Sequence, residues 1–192
     1  MFSVETYRFA TPNDAEALLA IYRPYVESSP VTFEWTVPTA EEFRARVEKI
    51  SAQYPYLVAE RDGEILGYAY AGPYRSREGF RWTAELSVYV KKGLQGQGVG
   101  THLYARLLDL LRLQGYLNVC AVVSWPNPGS AKLHEHFAFR CGGIQKKCGF
   151  KDGHWCDVAI FERPLADYPV PPAEPVPITK LPADAVARIM NF

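Results

Sequence analysis

The chain has 192 residues, 48% of them apolar and 22% charged, with Lys+Arg and Asp+Glu both at 21. That length suffices for one buried core with an appendage, and the charge balance leaves no basic excess to hold a nucleic acid. No run reaches the ~18 apolar residues of a membrane-spanning helix, and the N-terminal residues Met1 to Glu5 lack the basic and apolar regions of a secretory leader, so a cytoplasmic chain is expected.

Taken in chain order, Val4 to Phe9 reads as a short strand. Thr11-Pro12-Asn13-Asp14 opens a helix, with Thr11 as N-cap and proline in the first turn. Leu18, Leu19, Tyr22, Tyr25 and Val26 give that helix an apolar face. A loop from Ser28 to Pro38 follows, then Thr39-Ala40-Glu41-Glu42, a capping box for a second helix carrying Phe43, Val47 and Ile50. Tyr56 to Glu60 and Ile65 to Gly72 flank Arg61-Asp62-Gly63-Glu64, a hairpin signature. Thr83 to Val90 is the next strand, and Val99 to Gln114 an amphipathic helix with Leu103, Leu107, Leu110 and Leu111 inward. Asn118 to Trp125 has the apolar interior of a buried central strand. A short helix, Ser130 to Phe137, precedes Phe139 to Phe150 and the strand His154 to Arg163, joined by a turn at Lys151-Asp152-Gly153. From Ala166 prolines crowd the sequence, which predicts an extended tail over 166–192 after a domain over 1–165, with Ala183 to Met190 forming one or two helical turns.

Cys120, Cys141, Cys148 and Cys156 have neither zinc-site nor disulfide-scaffold spacing, so reduced and mostly buried thiols and no metal are expected.

The most informative stretch is Gln95-Gly96-Gln97-Gly98-Val99-Gly100, between a strand and a helix. Glycines there let the backbone turn tightly and approach another group. The helix start points unpaired N–H groups toward an anion, which makes a phosphate or pyrophosphate site. Gly100-Thr101-His102 has no lysine, which excludes a P-loop. The G-x-G-x-G order, with no acidic residue about 20 positions on, fits a dinucleotide fingerprint poorly.

Gln-x-x-Gly-x-Gly after a strand resembles the pyrophosphate loop of the GNAT superfamily of acetyl-CoA-dependent N-acetyltransferases. Three further segments sharpen the likeness to its phosphinothricin acetyltransferase branch: Glu85-Leu86-Ser87-Val88-Tyr89-Val90, the Asn127-Pro128-Gly129-Ser130-Ala131-Lys132-Leu133-His134-Glu135 segment, and Phe150-Lys151-Asp152-Gly153-His154-Trp155-Cys156-Asp157. The resemblance covers roughly residues 2 to 165. It implies an α/β fold with one mixed sheet, acetyl-CoA as co-substrate, a small amino-acid acceptor and a homodimer.

The resemblance also implies roles residue by residue. Glu85 matches the general base that takes a proton from the acceptor amine through water. Val88 or Val90 supplies a backbone N–H to the acyl oxygen. Gln95, Gly96, Gln97, Gly98, Gly100 and Thr101 form the cofactor loop. His134 stands where many superfamily members have a tyrosine, either as the acid for the leaving thiolate or as a cofactor-orienting group. Asn127 and Ser130 contact the pantetheine arm or fix the loop. Arg75 and Arg77, in the loop before Glu85, match an arginine-bearing segment that holds the substrate's acidic group in a two-bond fork. Phe33 matches a wall of the acceptor pocket. The expected reaction is acetylation of the α-amine of phosphinothricin, methionine sulfoximine or methionine sulfone. Alternatives are a peptide N-terminal or polyamine acetyltransferase, or a non-catalytic acyl-CoA-binding domain.

Overall fold

The computed structural model describes residues 5–192. Strand β1 is Thr6–Phe9, and the expected start of this strand at Val4 lies outside the described residues. A single 3-10 turn, Pro12–Asp14, leads into α1 (Ala15–Ser28), which carries Pro24 in its interior. Helix α2 (Ala40–Ser51) begins at the capping box. Thr39 Oγ1 accepts from the Glu42 N–H at 3.2 Å and Glu42 Oε2 from the Thr39 N–H at 2.8 Å. Such a cap stabilises a helix by about 1 kcal/mol.

Strands β2 (Tyr56–Arg61) and β3 (Glu64–Pro73) form a hairpin whose turn residues Asp62 and Gly63 both have positive φ, 53° and 80°. This is the primed turn that matches strand twist. The remaining elements are β4 (Thr83–Val90), α3 (Val99–Gln114), β5 (Asn118–Trp125), α4 (Pro128–His136), β6 (Arg140–Lys151), β7 (His154–Pro164) and α5 (Ala183–Met190). Among the described residues the strands make one mixed sheet of order β1-β2-β3-β4-β5-β7-β6.

The sheet separates two cores. Leu103, Leu107, Leu110 and Leu111 of α3 pack on Leu86, Val119, Ala121 and Phe161 of the strands. On the opposite face, Leu18, Tyr22 and Val26 of α1 and Phe43 and Val47 of α2 cover Val58 and Tyr68. Tyr56 and Tyr70 stack there at 4.8 Å between ring centroids. Each fully buried large apolar side chain contributes about 1.5–3 kcal/mol.

Two expectations change. Strand β5 is not buried on both faces, because Val122 is 45% exposed. Helices α1 and α2 cover β2, β3 and β4, and the Val122 side chain on that face of β5 is open to solvent. The thiols are also not mostly buried: Cys120 and Cys156 are, but Cys141 and Cys148 sit exposed on the edge strand β6, and all four are free.

The segment after β7 runs back along the molecule. The Trp82 indole N–H donates to the Ala173 carbonyl at 2.7 Å, and the Val176 N–H to the Gln114 carbonyl at 2.8 Å. Ile178 enters the main core, with Val186, Ile189 and Met190 of α5 packed against it. Arg106 of α3 lies 3.8 Å over the Tyr7 ring and donates to the carbonyls of Met190 and Phe192.

Candidate active site

The site begins where the sheet comes apart. Parallel pairing of β4 with β5 extends only over Thr83, Ala84 and Glu85 against Asn118, Val119 and Cys120. Beyond that point β4 stays with β3 and β5 stays with β7, and the two diverge. The gap is lined by Ser87 and Val88 on one side, Ala121 and Val123 on the other, and His134 at its end. It pierces the sheet, joining the α3–α4 face to the α1–α2 face. The Lys91 N–H donates to the Leu66 carbonyl at 2.8 Å, on the β3 side. Strand alternation therefore turns the N–H groups of Val88 and Val90 the other way, into the gap.

The glycine loop closes one end of this gap. Gly96 and Gly98 are left-handed, with φ of 78° and 93°, and Gly98 is the N-cap of α3. The first intrahelical bond runs from the His102 N–H to the Gly98 carbonyl. Helix geometry thus leaves the N–H groups of Val99, Gly100 and Thr101 without intrahelical partners. A Cβ on Gly100 would lie only 3.6 Å from Val90 Cγ2, so the helix start sits directly on β4. Gln95 braces the loop: its Oε1 accepts from the Gly93 N–H and its Nε2 donates to Tyr25 Oη and the Val90 carbonyl. Gln97 Nε2 donates to the Gly93 carbonyl. Both glutamine side chains hold the loop rather than point away from it. Free N–H groups beside a gap that runs through the sheet fit a phosphate-bearing thioester on a long arm.

Glu85 occupies the last paired position before the strands part, flanked by Gly72 and Cys120 in register. It is half-buried, and burial pushes its carboxyl above the ordinary carboxylate range. The phenol of Tyr70, two residues along the neighbouring strand, faces the same side.

At the other end, His134 is buried, stacked on Phe161 at 4.9 Å and edge-on to Phe139 at 5.1 Å. Its Nδ1 lies 2.7 Å from the Ser130 carbonyl, which can only accept, so Nδ1 carries a proton. Burial pulls its pKa below the usual imidazole value. The neutral ring then accepts at Nε2 from the Tyr104 hydroxyl, 2.9 Å away. Tyr104 lines the gap itself and was not singled out from the sequence; spaced as one more apolar residue of α3, it carries no sequence mark of its own. Asn127 caps α4, its Oδ1 accepting from the Ser130 N–H at 3.1 Å, and Ser130 Oγ lies 3.3 Å from His134 Nδ1. These two residues fix the loop and also line the gap.

On the open face, the Arg75 guanidinium lies 5.0 Å from the Tyr74 ring and 5.2 Å from the Phe80 ring. Neither Arg75 nor Arg77 has an ion-pair partner among the described residues. Arg81, the third arginine of that loop, pairs with Glu78 and Glu174. Phe33 packs on Gly149 of β6, where a Cβ would fall 2.4 Å from the ring. Lys151, missed as a site residue although it lies in one of the motifs, is 3% exposed. Its ammonium donates to the carbonyls of Ser29 at 2.8 Å and Thr32 at 2.7 Å, with Tyr25 at 3.4 Å. It ties the β6–β7 hairpin to the loop that carries Phe33. No grouping of metal-ligating side chains occurs among the described residues.

A sheet that parts at a strand followed by a glycine-rich helix start defines an acyl-CoA-type transferase, and the family comparison agrees. Residues 7–160 match the acetyltransferase (GNAT) domain, and the chain belongs to that family. It is 37% identical over 174 residues to a phosphinothricin N-acetyltransferase of Streptomyces viridochromogenes, covering 91% of this chain and 94% of that protein. It is 34% identical to an L-methionine sulfoximine/L-methionine sulfone acetyltransferase of Salmonella typhimurium, covering 88% of this chain and 99% of the relative. A GNAT superfamily phosphinothricin acetyltransferase from Sinorhizobium meliloti, solved in complex with acetyl-CoA, superposes with a TM-score of 0.83 at 32% identity, covering 96% of this chain and 97% of that one.

Proposed function

We propose that this enzyme transfers the acetyl group of acetyl-CoA to the α-amine of a small amino acid of the phosphinothricin, methionine sulfoximine or methionine sulfone type. The observation that carries the reading is Glu85: a half-buried carboxylate at the apex of the gap, between the glycine loop and an open face bearing Arg75 and Arg77. Acetyl-CoA supplies the activated acyl group as a thioester. The N–H groups of Val99, Gly100 and Thr101, with the loop of Gly96 and Gly98 behind them, hold its pyrophosphate. The Val88 or Val90 N–H donates to the acyl oxygen as charge develops there. Asn127 and Ser130 keep the wall of the arm's channel in place.

An α-amine is mostly protonated at neutral pH and must lose a proton before it can attack. Glu85, with its raised pKa, takes that proton through water. The Tyr104 hydroxyl, whose single proton rests on His134 Nε2, turns that proton to the leaving sulfur as the C–S bond breaks and regains one from solvent. Arg75 and Arg77 pair with the acceptor's acidic group, and Phe33 walls its side chain. We assign residues 1–165 to the catalytic domain and 166–192 to an extension, and take the enzyme to work as a cytoplasmic homodimer. Exposed Trp35, Phe150 and Trp155, clustered beside the open face, support a covered surface there. Sedimentation equilibrium checks the oligomeric state.

The test is CoA release with methionine sulfone against a carboxyl-free amine of the same shape. Arg75→Ala and Arg77→Ala should raise KM for methionine sulfone about tenfold, spare KM for acetyl-CoA and barely change the amine. Faster turnover of spermidine or a peptide N-terminus than of any free amino acid would overturn the assignment.

A further inference from the structure

The first turn of α3 carries an imidazole, His102, that the chemistry at Glu85 does not use. Gly100 turns toward β4, where a Cβ would lie 3.6 Å from Val90 Cγ2. Two residues on and about 200° round the helix, His102 turns away from β4 and from the gap. Helical side chains lean toward the N-terminus of their helix, and this one leans back over the glycine loop. A Cβ on Gly98 would fall 3.6 Å from His102 Cε1 and 3.9 Å from its Nε2. The imidazole thus borders the loop on the outer side of the helix start, with its Nε2 edge toward the loop.

The opposite edge of the ring is fixed from β1. His102 Nδ1 lies 2.8 Å from Tyr7 Oη, and the Tyr7 hydroxyl donates its one proton to Glu5 Oε1. The phenol oxygen is left to accept, so Nδ1 carries a proton. Burial and the bond to Glu5 push the Tyr7 pKa up and keep the phenol neutral. With Nδ1 committed to Tyr7, a second proton on the ring goes to Nε2, at the edge turned to the loop.

The surrounding charges call for an anion. Glu5 Oε1 stands 3.8 Å from His102 Nδ1, but two guanidiniums already share this carboxylate. Arg61 donates to Glu5 Oε2 at 3.0 Å, and Arg106, 3.8 Å over the Tyr7 ring, feels the same carboxylate. An imidazolium adds a third cation to it. All of this lies beside a helix start whose unpartnered N–H groups are themselves positive.

We infer that His102 is a charge-switched contact to a phosphate of the acyl-CoA: its protonated Nε2 donates to a phosphate oxygen over Gly98, while Tyr7 and Glu5 hold the ring in place. The contact rests on the reading of the glycine loop as the cofactor's phosphate site. Thioester, pyrophosphate and ribose 3′-phosphate follow one another along the cofactor. The gap takes the thioester arm and the helix start the pyrophosphate. A group on the outer side therefore meets an outer pyrophosphate oxygen or the 3′-phosphate, the same anionic oxygen in either case. An imidazole changes charge between about pH 5 and 8. The neutral ring, with its proton on Nδ1, turns a lone pair to the phosphate, so the contact is made at low pH and lost as the pH rises.

The test is calorimetric titration of acetyl-CoA, without acceptor, into the full chain and its variants at about pH 6 and about pH 8. His102 is exposed, so its replacement leaves the core intact. His102→Gln should raise Kd about tenfold at the lower pH, the scale of a hydrogen bond between charged groups, and at most about twofold at the higher. His102→Lys keeps the charge at both, so its Kd relative to the parent should improve as the pH rises. Tyr7→Phe frees the ring and should raise Kd about threefold at the lower pH, the scale of ordering one side chain. Acetyl-3′-dephospho-CoA locates the contact: the same loss in His102→Gln assigns the pyrophosphate, and no loss there assigns the 3′-phosphate. An acetyl-CoA Kd that His102→Gln leaves unmoved, or moves equally at both pH values, would overturn the contact. If Gly98→Val still weakens binding in that series, the loop stands without His102; if it does not, loop and contact fall together.

Discussion

The two sides of Glu85 are built differently. Toward the thioester, nearly everything that matters lies within one stretch of chain: the end of β4, the glycine loop and the first turn of α3. Its geometry follows from left-handed Gly96 and Gly98 and from the unpaired N–H groups that any helix start carries. Toward the open face, the residues proposed for the acceptor come from segments far apart in sequence. Phe33 comes from the loop after α1, Gly149 and Lys151 from the β6–β7 hairpin, and Arg75 from the loop before β4. On the proposed function, the locally encoded half would hold acetyl-CoA. A half held by distant contacts can change acceptor through a few substitutions without disturbing the other.

Glu85 joins the halves, and its removal should have the largest effect. Glu85→Gln is expected to lower turnover by roughly 10²–10⁴-fold while acetyl-CoA still binds. The acidic limb of the rate profile should flatten, because the group whose protonation sets it is gone. Since the folded-state pKa of Glu85 is raised, its stabilising contribution is present at low pH and lost as pH rises through that value. The variant should therefore be more heat-stable than the parent at neutral pH. Near-normal turnover with an unchanged pH profile would show that another group takes the proton.

On the cofactor side, Gly98→Val forces a β-branched residue into φ of 93° and crowds the approach to the helix start. The dissociation constant for acetyl-CoA should rise about tenfold or more, with acceptor KM little affected at saturating cofactor. Calorimetric titration of the folded variant measures it; unchanged affinity would remove the loop from the cofactor site.

The acceptor side should respond with the smaller change in activity and the larger change in stability. Lys151→Met leaves the Ser29 and Thr32 carbonyls without their donor, at a cost of about 2–3 kcal/mol. For a chain of this size that is a drop of about 5–10 °C in Tm. As the Phe33 loop loosens from the hairpin, acceptor KM should rise about threefold to tenfold and acetyl-CoA KM should hold. Equal loss on both substrates would mean that the hairpin supports the whole site and the two halves are not separable.

The legibility of each half follows the same division. The capping box at Thr39 and Glu42, the Asp62-Gly63 turn and the helix after Gly98 were readable because neighbours in sequence decide them. Glu85, His134 and the glycine loop stood out as candidates because their motifs survive as contiguous strings. Tyr104 could not, since a tyrosine facing a core and one whose hydroxyl meets a buried imidazole look alike in an amphipathic pattern. That one face of Asn118–Trp125 is open at Val122 was not legible, because an apolar run does not say whether a helix will cover both of its faces.

By itself the sequence determined the order of elements, the glycine-rich start of α3, the carboxylate on the strand before it and the family to which the chain belongs, all of them consequences of local backbone preference or of motifs intact along the chain. Only the tertiary structure decided that β4 and β5 part just after Glu85, that a lysine ammonium ties the hairpin to the Phe33 loop, and that the terminal segment returns to bond Asn118 and Trp82. Those features depend on hydrogen bonds and packing between residues dozens to more than a hundred positions apart, and no local preference encodes which distant partner a strand edge, a buried charge or an extended tail will find.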